Sequence, residues 1–438
     1  MVSKKLSVET AREYLIAHHF TPSTGSLSSS NPGLIGIELE TYPYHKIRNT
    51  IHPIEDLHEL FEIICRTVAN PRTINNVDVI AKKIFYDNRD SIQFEPGGQT
   101  ELITGPVNSL TELSERIRSL KHLVQEAAKP LKVYFGQYGM QPWFQKSEID
   151  LRVKNDRYQN LIAYFDRISP FGRRMMLESS SLQISLDLGN SRQQMARRII
   201  LANFLVPFTT ALFANSPNDA QKSSLFESYR YYVWQNLDPL RSGTSYAKGF
   251  SRETTLPEII DGYLEFVLKA PVIRSGNSTE RQNRPIPFEV WLQNGIDQSF
   301  PDASDLESHI SFLFPDVRIR KFLEIRSLDA TPEGWEFVPI CFYCGILYDD
   351  QSLEQALEIV CAQRDSMDNF LKQCVYGLES DQLFALSKKL FRLAIEGYGR
   401  LPNQFKLNGD PKDRFEEYFH HFTLRRKTFS DMQIDLFE

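Results

Sequence analysis

Three separated stretches of the chain alternate apolar and polar residues with the two-residue period of a half-buried β-strand. In the first, Ile35, Ile37 and Leu39 alternate with Gly36, Glu38 and Glu40. In the second, Leu182, Ile184, Leu186 and Leu188 alternate with Gln183, Ser185 and Asp187. In the third, Leu323 and Ile325 alternate with Phe322, Glu324 and Arg326. Each strand has one apolar face for helices to cover and one face bearing acids, amides or an arginine. Strands far apart in sequence but patterned alike predict a single, mainly antiparallel sheet. A further strand is expected near Val133–Gly136. Helical periodicity predicts helices over about 4–20, 54–70, 107–129, 155–168 and 191–214, and mostly amphipathic helix from about 336 to 438. The Ser/Pro/Gly-rich run Thr21–Gly33 is expected to be an exposed loop, and no fixed-period repeat or coiled coil is present.

The segment Glu95-Pro-Gly-Gly-Gln-Thr-Glu101 lies between two further short strand patterns, Ser91–Phe94 and Leu102–Thr104. Pro pre-sets one backbone angle and Gly admits positive φ, so a hairpin is expected here. The period of two puts Gln93 and Glu95 on one face, and likewise Gln99, Glu101 and Ile103. Carboxylates clustered on one sheet face repel unless cations neutralise them. Hard oxygen donors without Cys or His suit Mg²⁺, whereas a solvated surface hairpin is the plain alternative. Polar faces on several strands together favour the site.

Composition narrows the classes. The chain has 438 residues, 24% charged and 41% hydrophobic, within the range of ordinary globular proteins. A net charge of −6 argues against a general nucleic-acid binder. The N-terminal residues Met1–Ser7 lack the apolar core of a signal peptide, and the greasy stretch Ile199–Ala214 is interrupted by Asn203, Pro207, Thr209 and Thr210. A buried helix is expected there rather than a membrane span. Cys65, Cys341, Cys344, Cys361 and Cys374 are odd in number and sparse. Cys341-Phe-Tyr-Cys344 has no second ligand pair, so buried thiols in a reducing cytoplasm are expected.

Two more segments carry candidate chemistry. Ser228–Gly243 combines Arg230 and Arg241 with Trp234 and Asp238; His309–Asp329 contains Arg318, Glu324 and Arg326. Arginine forks pair bidentately with carboxylate and phosphate. The plain alternative is a polar surface loop with a packing Trp for the first segment, and an ordinary loop and strand for the second.

With these segments the chain resembles the plant and proteobacterial type of glutamate–cysteine ligase, in the larger group that includes the ergothioneine-pathway ligase. The matching blocks run in order from Ile35–Glu40 through Glu95–Glu101, Gly139–Trp143, Arg157-Tyr158, Met175-Met176, Gln183, Asp187, Ala211–Ser216 and Tyr229–Gly243 to His309–Asp329. They cover roughly residues 34 to 350. The resemblance implies an α+β, glutamine-synthetase-like catalytic fold, in which a mainly antiparallel sheet forms a funnel covered by helices. It also implies three regions: a helix and Ser-rich loop over 1–33, a catalytic domain over 34–350, and a helical region over 351–438 packed on it. The implied reaction uses ATP to phosphorylate the γ-carboxylate of glutamate, and the amine of cysteine then displaces the phosphate. Two or three Mg²⁺ ions, small-molecule substrates, no nucleic acid or membrane partner, and a monomer or weak homodimer are expected.

Carried over residue by residue, the resemblance makes Glu38, Glu40, Glu95, Glu101, Glu324 and Gln183 the expected metal ligands. Arg157 and Arg230 are expected to hold the carboxylates of glutamate, beside Gln141, Met175 and Met176. Arg241 and Arg326 are expected to face the phosphates, with Trp234 and Asp238 shaping that pocket. Arg230 and Arg326 are the expected catalytic residues. Glu178 stands where the plant pattern has a basic residue, and Ser185 where it has Asn. These departures keep open an alternative, the same chemistry with a different amine acceptor. A phosphagen-type kinase and an inactive scaffold are the other classes considered; the first would give a phosphoguanidine product, and the second would lack the metal carboxylates.

Overall fold

The structure is a computed structural model that describes the chain apart from residues 1–5, 23–26, 28–30, 48–49, 55–56, 69–73, 79–81, 142–149, 218–224, 274–284, 408–409 and 437–438. Trp143 of the matching blocks and part of the Thr21–Gly33 run lie outside the described residues.

The strands are β1 (Ile35–Ile47), β2 (Thr50–Pro53), β3 (Ile74–Asp78), β4 (Lys83–Tyr86), β5 (Ser91–Phe94), β6 (Thr100–Ile103), β7 (Val133–Gly136), β8 (Leu182–Asp187), β9 (Ser242–Gly243), β10 (Phe314–Pro315), β11 (Val317–Ile319) and β12 (Phe322–Ile325). Ten of them form one sheet in the order β11-β12-β8-β1-β6-β5-β4-β3, with β2 and β7 pairing the second half of β1. Every pairing in that sheet is antiparallel. The three patterned strands of the sequence, β1, β8 and β12, are immediate neighbours. β9 and β10 make a separate parallel pair.

The alternation sorts the sheet's two faces. Ile35, Ile37, Leu39, Ile92, Phe94, Leu102, Leu182, Ile184, Leu186, Leu323 and Ile325 are all buried. Helices pack around the sheet and on one another. They are α1 (Val8–His18), α2 (Leu57–Val68), α3 (Leu110–Ala128), α4 (Asp156–Ile168), α5 (Gly172–Glu178), α6 (Arg192–Leu212), α7 (Tyr229–Gln235), α8 (Leu256–Lys269), α9 (Phe288–Asn294), α10 (Ala303–Ser311), α11 (Phe337–Leu347), α12 (Asp350–Cys361), α13 (Met367–Gln373), α14 (Asp381–Arg400), α15 (Asp410–His421) and α16 (Phe429–Leu436). In α3, Leu110, Leu113, Ile117, Leu120 and Val124 recur at helical spacing, and the helix packs on β1, β6 and β7. Ser109 caps it by accepting the Glu112 N–H. Burying each such Leu or Ile is worth about 1.5–3 kcal/mol before entropy.

Of the described helices, α6 alone is long and apolar enough to cross a membrane, yet it lies inside the fold and packs on β11, β12 and α12. Its Arg198, 1% exposed, is held by the carbonyls of Asp187 and Pro32. Cys341 and Cys344 are buried on α11, where burial pushes the Cys341 thiol up to about 12. Two helices were not expected from the sequence. Residues 229–235 form α7, and Glu178 ends α5 ahead of β8. Both helices have only seven residues, too few for periodicity to show.

α11 and α14 meet backbone to backbone. A Cβ on Gly345 would stand 2.1 Å from the Ala394 carbonyl, and one on Gly397 would stand 2.0 Å from the Gly345 carbonyl. Gly345→Ala or Gly397→Ala must therefore part the helices, at a cost of about 3 kcal/mol. A Cβ on Gly399 in the same helix meets nothing within 4 Å. Thermal melts should show a clear drop for the first two variants, and Gly399→Ala should equal or slightly exceed the parent.

Candidate functional site

The polar face of the sheet is the floor of the site. Cross-strand pairing sets Lys83 opposite Gln93, Gln93 opposite Glu101, and Glu101 opposite Glu40; two residues along β1, Glu38 faces Gln183. Beyond β8, Glu324 lies between Ser185 and Arg318. One row thus runs from a cation through amide and acids to amide and then arginines. A cleft of about 370 Å³ opens over it. Its walls come from α4 (Arg157, Tyr158), α5 (Met175, Met176), α7 (Arg230, Trp234) and the β11–β12 hairpin (Arg318, Arg320), with Arg326 just beyond β12.

The Glu95–Glu101 turn is built as its residue types demand. Pro96 and Gly97 fill the centre of a turn closed by the Gly98 N–H on the Glu95 carbonyl at 2.8 Å, and Gly98 follows at φ +91°. A Cβ on Gly97 would lie 2.1 Å from the Leu177 carbonyl, so the turn presses directly on α5. Gln99 completes the clamp. Its Oε1 accepts the Gly97 N–H, and its Nε2 donates to the carbonyls of Met176 and Ser179.

Like charges dominate the centre of the floor. Glu101 is 3% exposed, while Glu38 and Glu40 are half-buried on the cleft. Burial first, and then Glu38, Glu95 and Glu40, push the Glu101 carboxyl well above the carboxylate range. Burial and the neighbouring Glu324 raise Glu38. Burial and Glu95 push Glu40 up to about 7, although its carboxylate accepts the Ser181 N–H at 2.6 Å and the Ser181 hydroxyl at 3.1 Å. Gln93 donates to Glu101, and the Tyr158 hydroxyl donates to Glu95 at 3.1 Å.

The basic side behaves oppositely. Arg318 grips Glu324 with two guanidinium nitrogens, and Arg326 Nη1 bridges Glu324 and Gln183 at 2.9 and 2.7 Å. Burial alone would raise Glu324, but Arg318 and Arg326 outweigh it and hold the carboxyl down to about 2. Arg320 lines the same wall, and the charge of Arg318 lowers its pKa. Arg230, 3% exposed, donates to the carbonyls of Ser327 and Arg326 and lies 5.2 Å from the Trp234 ring, one helical turn along α7. Arg157 donates to the Ser311 hydroxyl and carbonyl.

Of the residues singled out from sequence, Glu38, Glu40, Glu95, Glu101, Gln183, Arg157, Arg230, Arg326, Met175, Met176 and Trp234 come together in this cleft. Glu324 lies beneath it, engaged by the two arginines. Gln141, Asp238 and Arg241 are not on its walls. Gln141 pins the end of α5, donating from Nε2 to the Leu177 carbonyl. Arg241 is fully buried, 3.3 Å from Asp238, and donates to the carbonyls of Phe312 and Pro271. That pair braces the fold, so neither residue reaches a nucleotide as expected. Arg320, Lys83 and Ser181 were not singled out from sequence, and Arg318, named within its segment, was given no specific role. Arg318 and Arg320 have the two-residue spacing of one strand face, which could have joined them to Arg326. Of the two departures, Ser185 sits across from Gly36 and Glu324, and Glu178 lies 3.7 Å from Arg174 at the end of α5; neither is on a cleft wall.

The acid group suits a hard divalent ion chemically. Among the described residues no three acidic, His or Cys side chains converge as a ready-made ion cage. The carboxylates stand instead as neighbours, Glu40 by Glu95 and Glu38 by Glu101. Mg²⁺ commonly takes one or two carboxylates and fills its octahedron with water and phosphate oxygens, so this donor set fits.

The family model described as Glutamate-cysteine ligase family 2 (GCS2) matches residues 34–413. A chloroplastic glutamate–cysteine ligase of Arabidopsis thaliana is 28% identical over 390 residues, covering 84% of this chain and 70% of the relative. Its counterpart in Brassica juncea is 27% identical over 411 residues, covering 89% and 75%. Among solved structures, a glutamate–cysteine ligase from Francisella tularensis in complex with AMP superposes with a TM-score of 0.51 at 11% identity, over 92% of this chain and 87% of that one. This last likeness speaks for the fold.

The raised acids set a pH dependence. Burial pushes Glu40, Glu178 and Asp316 each up to about 7. A carboxyl raised in the folded state contributes stability that is full below its unfolded pKa and lost as pH rises through the folded one. The buried His19 and His309 are lowered and oppose this, but fewer groups act that way. The ligand-free protein should therefore melt at lower temperature at about pH 8 than at about pH 5. Glu178→Gln, outside the cleft, should flatten the slope; an unchanged slope would remove Glu178 from the titrating set.

Proposed function

The chain belongs to glutamate-cysteine ligase family 2, and from that membership we propose that it is an ATP-dependent carboxylate–amine ligase. The reaction we assign it joins the γ-carboxylate of L-glutamate to the amino group of L-cysteine through a γ-glutamyl phosphate, which places the product at the start of glutathione synthesis. The observation that carries this reading is the split polarity of the cleft: clustered acids on β1 and β6 facing arginines on α7 and around β11 and β12. A reaction that moves a phosphoryl group between two anions needs charge neutralisation and alignment more than covalent help from the protein.

Each group then has a task. Glu38, Glu40, Glu95 and Glu101 would hold Mg²⁺, which would supply charge neutralisation for the phosphates. Arg320 has no acid partner of its own among the described residues, whereas Arg318 and Arg326 share Glu324. The β11–β12 side therefore keeps a net positive charge for the phosphates of ATP. Arg230 and Arg157 orient the carboxylates of glutamate, and Met175 and Met176 give its methylene chain an apolar wall. Trp234 packs against Arg230 and limits how that guanidinium can turn. The AMP found in the Francisella tularensis ligase agrees with a nucleotide in a cleft of this fold. Five cysteines without disulfides suit a reducing compartment such as the cytoplasm.

The same chemistry with another amine acceptor is the second reading. It rests on Glu178, an acid raised by burial that adjoins the Met175–Met176 wall. Mass spectrometry of products from purified enzyme, ATP, Mg²⁺, L-glutamate and a panel of amines separates the two. γ-Glutamylcysteine is the expected product. Amide formation with another amine but none with cysteine establishes the second reading.

Glu95→Gln should cut turnover by about 100-fold or more without lowering the melting temperature, because it removes a charge that repels Glu40 and Glu101 in the empty fold. Near-normal turnover would take Glu95 out of the metal site. Arg230→Lys should raise KM for glutamate, since an ammonium cannot reproduce a bidentate fork; an unchanged KM assigns glutamate to another cation.

A further inference from the structure

Asp329 lies just beyond β12, 2% exposed, and its carboxylate is saturated with donors. Oδ2 accepts the Asn215 N–H at 2.8 Å and the Ser216 hydroxyl at 2.6 Å, and Oδ1 accepts the Ser228 hydroxyl at 3.1 Å. The guanidinium of Arg230 stands 3.8 Å from the same Oδ1. Arg230 is also tied at its other end, because its backbone N–H donates to the Ser216 hydroxyl at 3.0 Å. One carboxylate therefore holds Arg230 twice, through Ser216 at the main chain and directly at the side chain.

The same carboxylate gathers distant parts of the site. Asn215 and Ser216 follow α6, and Ser228 is the N-cap of α7; separately, the Asp329 main chain forms a β-bridge with Ser181, whose N–H and hydroxyl hold Glu40. Gly139 leaves the room this needs, since a Cβ there would stand 2.6 Å from the Asp329 carboxyl carbon. A buried carboxylate with three hydrogen-bond donors favours one geometry for the segments that supply them.

We propose that Asp329 is the positioning residue for Arg230, setting the angle at which that guanidinium meets the anionic substrate. The proposal rests on the ligase reading only for the identity of that substrate. Asp329 touches no ligand and acts through Arg230; Ser216 and Ser228 hold the carboxylate in register. Misplacing a clamp by an ångström costs about 100-fold in an aligned site.

Asp329→Asn keeps the shape but replaces an oxygen acceptor and the charge. Two readouts are taken on full-length protein. The first is the Trp234 contribution to near-UV circular dichroism and fluorescence, obtained by difference against Trp234→Phe; it needs no substrate. Asp329→Asn should shift it, because Trp234 packs on Arg230. The second is calorimetric binding of L-glutamate in the presence of Mg²⁺ and ATP, expected to weaken by about 10- to 100-fold while ATP·Mg²⁺ alone binds within about twofold of wild type. An unchanged Trp234 signal overturns the proposal, as does equal loss of glutamate and ATP binding, the mark of a merely structural role. Should Asp329→Asn not fold, Ser228→Ala, which removes one donor and leaves the charge, must weaken L-glutamate binding while ATP·Mg²⁺ alone binds within about twofold of wild type; equal loss of both, or loss of neither, overturns the proposal. A wild-type protein that binds no glutamate, with the Trp234 shift present, defeats the ligase reading and leaves the positioning of Arg230 standing.

Discussion

Repulsion between carboxylates on one face of the sheet is the constraint that organises this molecule. β1 runs through the centre of the sheet and brings Glu38 and Glu40 beside Glu101, with Glu95 at the adjoining turn. Two unit charges 4 Å apart still repel by about 4 kcal/mol at an effective dielectric constant near 20. The isolated fold relieves this by raising the acids, and Glu324 shows the alternative. It sits on the same face two strands away, more deeply enclosed than Glu38 and Glu40, yet Arg318 and Arg326 hold its carboxyl down to about 2. Neighbours rather than burial decide the two fates. Among the described residues, no arginine hydrogen-bonds the acids on β1 and β6, so a cation from outside has the most to gain there.

The turn that carries Glu95 also shapes the wall opposite. Its backbone presses on Leu177, and Gln99 ties it to Met176 and Ser179. Any shift of this hairpin therefore moves the acids and the methionine wall together. A Pro-Gly-Gly turn with little slack is suited to that task, because the glycine that makes the close approach cannot be replaced without parting the two elements.

Much of this was legible in the chain. The two-residue alternation of β1, β8 and β12 correctly gave one antiparallel sheet with a polar face, and the Glu95–Glu101 hairpin formed where its turn residues placed it. Arg230 and Trp234 proved to share a helix face at i, i+4. What was not legible had a common cause: sequence shows that a charge exists, not where it sits. Arg241 and Asp238 pair inside the core, and Glu324 is engaged by two arginines. Lys83 escaped notice because β4 has four residues and no clear alternation of its own. Asp329 was visible only as the end of a block, since its donors come from segments more than a hundred residues away.

The arrangement also bears on how ligands enter. On the ligase reading, the acids must be deprotonated to accept a cation, and the arginines must desolvate to accept phosphate. A cation in the acid half attracts anions to the basic half, and an anion there returns the favour by the same free energy, because linkage is reciprocal. Glu40 borders both halves, repelled by Glu95 and drawn toward Arg230. A nucleotide carrying its own Mg²⁺ satisfies both halves at once, whereas free ion or free nucleotide satisfies one and leaves the other costly. The charge pattern of the floor thus favours the metal–nucleotide complex over either component, before any residue of the cleft moves.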